Sequence, residues 1–267
     1  MRASHLDIPV LPAVRTRALA LLADADCSIR DLATIVSADP ALTASVLRAA
    51  NSALSGARQR FQTAEEAMVR IGLGPTRRIV TGSMIGETFG KFDRAGIRAE
   101  ELWQHLIVVA LLAEAGDPSI EPRGLAFTAG LLHDIGRLAM AVADPPRYAE
   151  VVASAASGLD PGIAEFRLFG THHSALGYRV GQQWQLPQEV LQAVLDHHRG
   201  RLSAVSATVF RARRISALLG YGDGVVPAEE AEGELDADDA QVLKRLRGPN
   251  ELRARVEWYR DAIQGPV

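Results

Sequence analysis

The stretch from Phe127 to Met140, near the middle of the chain, constrains the fold more than any other segment. Its apolar residues recur at the three- and four-residue spacing of a helix face, which predicts a single buried helix. The same stretch contains the adjacent polar pair His133 and Asp134. Burying an imidazole and a carboxylate costs several kcal/mol unless each finds a partner or a metal. We therefore expect the fold to bring partners for this pair from elsewhere in the chain.

The composition favours packed helices. Of the 267 residues, 48% are hydrophobic but only 5% are aromatic, whereas sheets are richer in aromatic and β-branched residues. The predicted fold class is all-α. A chain of this length can form one large domain or two smaller lobes with an ample core.

Charge and cysteine content exclude several classes of protein. The net charge of −3 gives no global attraction to nucleic acid or to an anionic membrane. The single cysteine, Cys27, rules out an internal disulfide. The longest charge-free apolar run, Leu106 to Ala113, is too short to span a bilayer, and the first residues lack the apolar core of a signal peptide. We expect a cytoplasmic protein that does not contact a membrane.

Further histidines lie on segments that are predicted to be buried helices. Residues 101–115 are apolar on almost every side and contain His105, as in a helix within a core. His173 is followed at four-residue intervals by Gly177 and Gly181. This spacing places small residues along one helix face, where a second helix can approach closely.

The next two helices complete the set of candidate residues. His197 and His198 flank the predicted buried face of the helix that begins near Pro187, so either ring could point inward. The following helix, residues 204–219, contains Arg211, Arg213 and Arg214.

These segments resemble the HDOD family, a bacterial, signalling-associated relative of the HD-domain phosphohydrolase superfamily. The resemblance covers residues 8–222 and rests on several motifs in the same order: Leu11-Pro12-Ala-Val14, Ser37-Ala-Asp-Pro-Ala-Leu-Thr43, Ala50-Asn51-Ser52, Ala67-Met-Val-Arg-Ile-Gly-Leu-Gly74, Trp103-Gln-His105, Gly130-Leu-Leu-His-Asp-Ile-Gly136, His173-Ser-Ala-Leu-Gly177, Trp184-Gln-Leu-Pro187 and His197-His198. It implies an N-terminal helical lobe, residues 8–92, packed on an HD-like helical lobe, residues 93–222. Beyond the resemblance lie residues 223–267. Residues 223–239 contain eight acidic residues and no basic one, which predicts an exposed linker or mobile surface segment. The apolar spacing from residue 239 to residue 263 predicts a C-terminal helical segment of one or two helices, interrupted by Gly248-Pro249.

The resemblance also implies a set of metal ligands with one member missing. In the HD superfamily a first histidine, a His-Asp pair and a later aspartate hold a divalent metal. The first three correspond to His105, His133 and Asp134, but the position expected for the aspartate is occupied by Arg213. We hypothesise that Arg213 supplies the positive charge of the metal and pairs with Asp134.

A displaced metal site is the opposing interpretation. His173, His197 and His198 resemble the extra histidines with which some HD enzymes hold a second metal. An imidazole-rich site suited to iron, zinc or manganese could then be formed by His105, His133, Asp134, His173 and either His197 or His198. No cofactor is otherwise expected.

The expected function is therefore regulatory. We expect a non-catalytic HDOD module that binds a protein partner or a small nucleotide-like ligand in trans, in bacterial signal transduction. The alternative is a metal-dependent phosphohydrolase or phosphodiesterase that acts on a nucleotide or cyclic nucleotide through His133 and Asp134. Binding of nucleic acid is not expected, because a solvated helix face explains the arginine clusters at Arg58–Arg60, Arg77–Arg78 and Arg211–Arg214. The oligomeric state is left open.

Overall fold

The structure is a computed structural model that describes residues 10–23, 26–52, 61–90, 94–121, 124–226 and 233–264. These ranges contain fifteen α-helices and no strand, which confirms the all-α prediction. Arg58 and Arg60 lie outside the described residues. The helices are α1 (Ala13–Ala23), α2 (Ile29–Val36), α3 (Pro40–Ser52), α4 (Ala64–Ile71), α5 (Leu73–Phe89), α6 (Ala99–Gly116), α7 (Leu125–Leu132), α8 (Ile135–Ala143), α9 (Pro145–Ala156), α10 (Pro161–Phe169), α11 (His173–Gln183), α12 (Gln188–Asp196), α13 (Ala204–Leu218), α14 (Ala237–Arg245) and α15 (Pro249–Gln264).

Local sequence signals determine where several helices begin. The side chain of Ser28 accepts a hydrogen bond from the amide of Asp31, and the Asp31 carboxylate accepts one from the amide of Ser28. This capping box satisfies two amides that the first turn of α2 leaves free. Asp39 does the same before α3, where its carboxylate accepts from the amides of Ala41 and Leu42.

Helices α1–α5 form an N-terminal group that packs on the group formed by α6–α13. Helix α6 is at the centre of the second group, where it contacts α7 and α13, and eleven of its residues are buried, including His105. Helix α5 provides contacts from the N-terminal group to α7 and α8. The histidine-bearing elements therefore surround one apolar core.

The C-terminal helix α15 packs on α3, α5 and α6. A Cβ atom added at Gly82 of α5 would lie only 2.8 Å from Cγ1 of Ile263. The guanidinium of Arg48 donates to the carbonyl of Ala262, 214 residues away in sequence. Helix α15 is thus part of the main core and covers both helical groups.

The predicted helix from Phe127 to Met140 is broken at the polar pair, so the prediction of one continuous helix is wrong. Helix α7 ends at Leu132, and Asp134 has φ −99° and ψ 17°, outside helical geometry. The ring of His133 donates through Nδ1 to the Gly130 carbonyl, at 2.6 Å. In an unbroken helix that carbonyl would accept the amide of Asp134 instead. The stretch Leu125–Ala143 is apolar and long enough by composition to cross a membrane, but most of it is buried inside the fold, as in a core segment.

The acidic segment predicted as an exposed linker, residues 223–239, is exposed at residues 233–238 but not at its two ends. Asp239 is fully buried, and with Asp236 it forms a capping box at the start of α14. Both carboxylates bond to the guanidinium of Arg214. Residues 227–232 lie outside the described ranges. The arginines of α13 therefore hold the start of α14, which the pattern of charges alone did not indicate.

Candidate metal centre

Five histidines and one aspartate from four parts of the fold meet in the core. His105 lies in the middle of α6, and His133 and Asp134 form the break between α7 and α8. His173 begins α11, and His197 and His198 directly follow α12. Two groups within this centre each bring their ligand atoms within 4.8 Å of one another: His105, His133 and Asp134, and His173, His197 and His198.

Two of these rings are oriented in the same way. His133 and His197 each directly follow a helix, and each donates through Nδ1 to a carbonyl three residues earlier, at Gly130 and Val194. A carbonyl can only accept, so the proton of each neutral ring lies on Nδ1 and the lone pair lies on Nε2. Both rings are fully buried. The break after each helix thus presents a bare imidazole nitrogen to the centre.

The Asp134 carboxylate lies between these rings and accepts no hydrogen bond. Its side chain is fully buried, and neither carboxylate oxygen accepts a hydrogen bond. The Oδ2 atom lies 3.4 Å from Nε2 of His133, and Oδ1 lies 3.4 Å from Nε2 of His197. Burial alone would raise the pKa of Asp134, but the charge of Arg137 holds it well below its ordinary value. The centre therefore contains a buried carboxylate whose oxygens have unused lone pairs.

The cation paired with Asp134 is Arg137, not Arg213 as expected. Arg137 is buried, and its Nε lies 3.5 Å from Oδ2 of Asp134. Its Nη1 donates to Asp223 at 2.6 Å. Among the described residues no ion pair joins Arg213 to Asp134, because the Arg213 guanidinium is engaged by the end of α12. The three-residue spacing of Asp134 and Arg137 was a signal for this pair that the sequence analysis did not use.

His173 is fixed by a carboxylate that the sequence analysis missed. Glu165 of α10 accepts from both the amide and Nδ1 of His173, at 2.9 and 2.6 Å. The phenol of Tyr148 donates to the other Glu165 oxygen at 3.2 Å. All three side chains are buried. Glu165 therefore orients His173 so that its Nε2 faces His197 and His198, at 3.1 and 2.9 Å.

The rings approach one another because glycines allow the helices that carry them to pack closely. A Cβ atom added at Gly136 of α8 would collide with the backbone of α11, including the amide of Gly177 at 2.7 Å. A Cβ at Gly177 would lie 3.1 Å from the amide of Gly136. The predicted small-residue face of α11 is confirmed as the contact with α8, and it brings His173 within 3.4 Å of Asp134.

Arg213 lies beside the second histidine group. Its Nη1 donates to the carbonyl of His197 at 3.3 Å and to Nδ1 of His198 at 3.2 Å. Burial and the charge of Arg213 lower the pKa of His197 well below its ordinary value. Desolvation and the same charge lower the pKa of His198 to about 3, although its ring is partly exposed. The positive charge expected at this position is present, but it contacts histidine instead of carboxylate.

The first group has the donors that a divalent metal requires. Nε2 of His105 lies 3.2 Å from Nε2 of His133, and burial lowers the pKa of His105 to about 3, which keeps that ring neutral. Ligands bound to one cation at about 2.0–2.2 Å lie roughly 2.8–3.6 Å apart. The His105–His133 and His133–Asp134 pairs have this spacing, at 3.2 and 3.4 Å, and the carboxylate oxygens of Asp134 accept no hydrogen bond. These residues fit a metal, with His197 as a further donor.

A cavity of about 380 Å³ opens onto this centre. It is bordered by His105, Arg213 and Asp223, and by the aromatic side chains Phe210 and Tyr221. Burial would raise the pKa of Asp223, but Arg137 lowers it to about 2. The cavity thus combines aromatic surfaces with both a cation and a carboxylate.

The other predicted arginine clusters are largely engaged by acidic residues. Arg78 bonds to Glu114 at 2.6 Å, and Arg211 bonds to Asp238 at 3.3 Å. Arg214 bonds to Asp236 at 2.9 Å. These contacts reduce the positive potential that the described arginines could offer to a phosphate backbone.

The sequence and the fold are similar to those of known proteins. A sequence model of the HDOD domain matches residues 8–200. An uncharacterized protein of Treponema pallidum (strain Nichols) is 24% identical over 198 residues, which are 72% of this chain and 38% of that protein. The chain therefore spans less than half the length of this relative.

Three crystal structures share the fold. An HDOD domain protein of unknown function from Geobacter sulfurreducens has a TM-score of 0.72 and 24% identity, covering 98% of this chain and 94% of that one. A Shewanella amazonensis SB2B protein described as a candidate phosphohydrolase has a TM-score of 0.68 and 22% identity, covering 97% and 95%. A Marinobacter aquaeolei VT8 protein described as a candidate signal transduction protein has a TM-score of 0.69 and 21% identity, covering 95% and 60%.

Proposed function

The chain belongs to the HDOD domain family, and from this premise we propose that it is a regulatory module that acts by binding and not by hydrolysis. The observation that carries the proposal is the environment of Arg213. Where the resemblance to the HD superfamily implies a metal-binding aspartate, the chain has a guanidinium that donates to Nδ1 of His198. A guanidinium at this position offers a metal ion no ligand and replaces the anionic charge that the aspartate would supply.

The cavity beside the centre supports a ligand of nucleotide-like chemistry. Phe210 and Tyr221 provide aromatic surfaces for a base, and Arg213 provides a donor for a phosphate. His105, on the same wall, is neutral at physiological pH because burial lowers its pKa to about 3. A ligand in this cavity would contact both α6 and α13, so its binding could alter the packing of these helices. Binding of a protein partner in trans would also be a regulatory role, and the same fold could serve it.

Metal-dependent phosphohydrolysis is the second candidate. It is favoured by the bare oxygens of Asp134 and by the spacing of His105 and His133. These residues, with His197, would hold the metal. A bound divalent metal supplies a Lewis acid and an acidified water for attack on a phosphoester. The chain's own contribution would be to orient the imidazoles through Gly130 and Val194.

Turnover assays with defined metals separate the two candidates. Purified protein is incubated with manganese, iron or zinc and tested on an aryl phosphodiester, on nucleoside phosphates and on cyclic nucleotides. We expect no turnover above that of an Asp134→Asn variant. Turnover that the Asp134→Asn substitution abolishes would replace the regulatory proposal with the enzymatic one.

Calorimetric titration with the same nucleotides tests the binding cavity. We expect binding that weakens at least tenfold in a Phe210→Ala variant. Phe166→Ala is the matched control, because Phe166 is also an exposed aromatic residue but does not border the cavity. Equal binding by both variants would argue against this cavity as the ligand site.

A further inference from the structure

The histidines of the centre differ in whether hydrogen bonds within the protein already occupy both of their ring nitrogens. The difference begins at Arg213, because a guanidinium can only donate hydrogen bonds. Its Nη1 lies 3.2 Å from Nδ1 of His198, so this nitrogen must be the acceptor. The proton of the neutral His198 ring therefore lies on Nε2.

That proton faces His173. Nε2 of His198 lies 2.9 Å from Nε2 of His173. The Nδ1 atom of His173 donates to Glu165, a carboxylate that can only accept, so Nε2 of His173 has a lone pair. A continuous chain of hydrogen bonds thus runs from Arg213 through His198 and His173 to Glu165. Each ring in this chain has both nitrogens occupied without a metal.

The other rings of the centre are not fixed in this way. His133 and His197 donate through Nδ1 to carbonyls, so Nε2 of each ring has a lone pair and no proton. Nε2 of His105 lies 3.2 Å from Nε2 of His133 and donates to it in only one tautomer of His105. The second nitrogen of His105 lies 3.5 Å from the hydroxyl of Ser216. A hydroxyl both donates and accepts, so Ser216 allows His105 to adopt either tautomer. The contrast is between a histidine fixed by a donor-only guanidinium and one left free by a hydroxyl.

We propose that Arg213 closes the triple-histidine group to metal by fixing the tautomer of His198, and that a single cation position remains, formed by His105, His133, Asp134 and His197. The inference rests on the proposed function in assigning Arg213 to this centre. It adds that the centre has two unequal halves. In one half, the ring nitrogens of His173 and His198 are satisfied by hydrogen bonds within the protein. In the other half, ring nitrogens with free lone pairs lie near the oxygens of Asp134, which accept no hydrogen bond.

Metal content tests the inference directly. The full chain is loaded with manganese, iron or zinc, desalted and measured by elemental analysis. We expect about one metal ion per chain in the wild type, none in His133→Ala and about two in Arg213→Ala. Arg211→Ala is the matched control, an arginine of the same helix that pairs with Asp238 at the surface, and it should retain one ion. Two ions or none in the wild type, or one ion in a folded Arg213→Ala variant, would overturn the inference.

The tautomer of His198 provides a test that needs no variant. Nitrogen-15 NMR of the metal-free wild type should show the His198 proton on Nε2, and a proton on Nδ1 would refute the proposed role of Arg213. Turnover is recorded separately on the same samples. Hydrolysis by protein with one metal would overturn the proposed function and leave this inference intact, whereas two metals without hydrolysis would do the reverse.

Discussion

At the scale of single residues, the partner of the outer ring nitrogen decides what each histidine can do in the centre. Carbonyls at Gly130 and Val194 hold the protons of His133 and His197 on Nδ1, so the Nε2 lone pairs face the centre. The Glu165 carboxylate fixes His173 in the same sense. Arg213 fixes His198 in the opposite sense. The imidazoles are chemically alike, but the neighbouring hydrogen-bond donors and acceptors give them different roles.

Removal of Glu165 should destabilise the fold. The Glu165→Ala substitution leaves the His173 amide, its Nδ1 and the Tyr148 hydroxyl without a partner in a buried site. We expect the free energy of unfolding to fall by about 2–4 kcal/mol, measured by urea denaturation. Arg167→Ala on the exposed face of the same helix is the control and should change it little. Equal stability of the two variants would contradict the buried role of Glu165.

Asp223 should make stability depend on acid pH. Burial would raise the pKa of its carboxyl group, but Arg137 lowers it from the ordinary 3.8 to about 2. The charged form therefore stabilises the fold fully above about pH 4, and this contribution is lost as the pH falls through about 2. We expect Asp223→Asn to lower the free energy of unfolding by about 2 kcal/mol at neutral pH.

The loss caused by Asp223→Asn should disappear near pH 2, which urea denaturation across the acid range can measure. Asp238→Asn, at an exposed aspartate that pairs with Arg211, is the control and should have little effect at any pH. A loss that is the same at neutral and at acid pH would show that Asp223 acts through packing and not through its charge.

Some site residues were predictable and others were not. All five histidines of the centre and Asp134 were predictable, because they lie within the motifs that the chain shares with the family. Glu165 gave no local signal, since it belongs to a short helix outside every motif and acts only through the fold. The pair between Arg213 and Asp134 was predicted wrongly because residue type alone does not show which carboxylate or imidazole a guanidinium reaches.

At the scale of helices, the centre depends on how closely α8 and α11 approach. The backbone of α11 occupies the space where a side chain at Gly136 would lie. The helix break at Asp134 directs α8 toward this contact. The hydrophobic pattern predicted the apolar faces on both sides of the break but not the break itself. The reason is that the His133 ring replaces a backbone hydrogen bond, a substitution that leaves the spacing of apolar residues unchanged.

A single methyl group added at Gly136 should push α8 and α11 apart. We expect Gly136→Ala to lower the free energy of unfolding by about 1–3 kcal/mol, because its Cβ meets backbone atoms that cannot rotate away. The same change should lower metal affinity, because a shift of α8 moves Asp134, which directly precedes this helix, relative to His105 and His197. Gly74→Ala is the matched control, a helical glycine with no atom within 4 Å of the added Cβ. Thermal denaturation and metal titration measure both effects, and a fully stable Gly136→Ala variant would contradict the close approach.

At the scale of the whole molecule, α15 joins the two helical groups. Its residues Tyr259 and Ile263 are buried against helices of both groups, and Arg260 bonds to Glu100 of α6 at 3.0 Å. The sequence predicted the all-α fold class and a C-terminal helical segment of one or two helices interrupted by Gly248-Pro249. It did not predict where these helices pack, because an amphipathic helix shows which face is buried but not what covers that face.

The contact between α15 and α5 should contribute strongly to global stability. Ile263→Ala removes apolar atoms that fill the space above Gly82, and we expect it to lower the free energy of unfolding by about 2–4 kcal/mol. Arg253→Ala, on the exposed face of α15, should have little effect. Chemical denaturation monitored by circular dichroism gives both values. An Ile263→Ala variant as stable as wild type would show that α15 is peripheral.

The position of α15 also sets an order of events during translation. The contact from Arg48 to Ala262 joins residues 214 positions apart, so the surface of α3 that α15 covers emerges from the ribosome long before α15 is made. This apolar surface therefore stays exposed on the nascent chain while the histidine-bearing helices are synthesised. Exposed apolar surface of this kind is what chaperones bind. Slow decoding of the last helix should therefore favour aggregation of this chain more than slow decoding of α1.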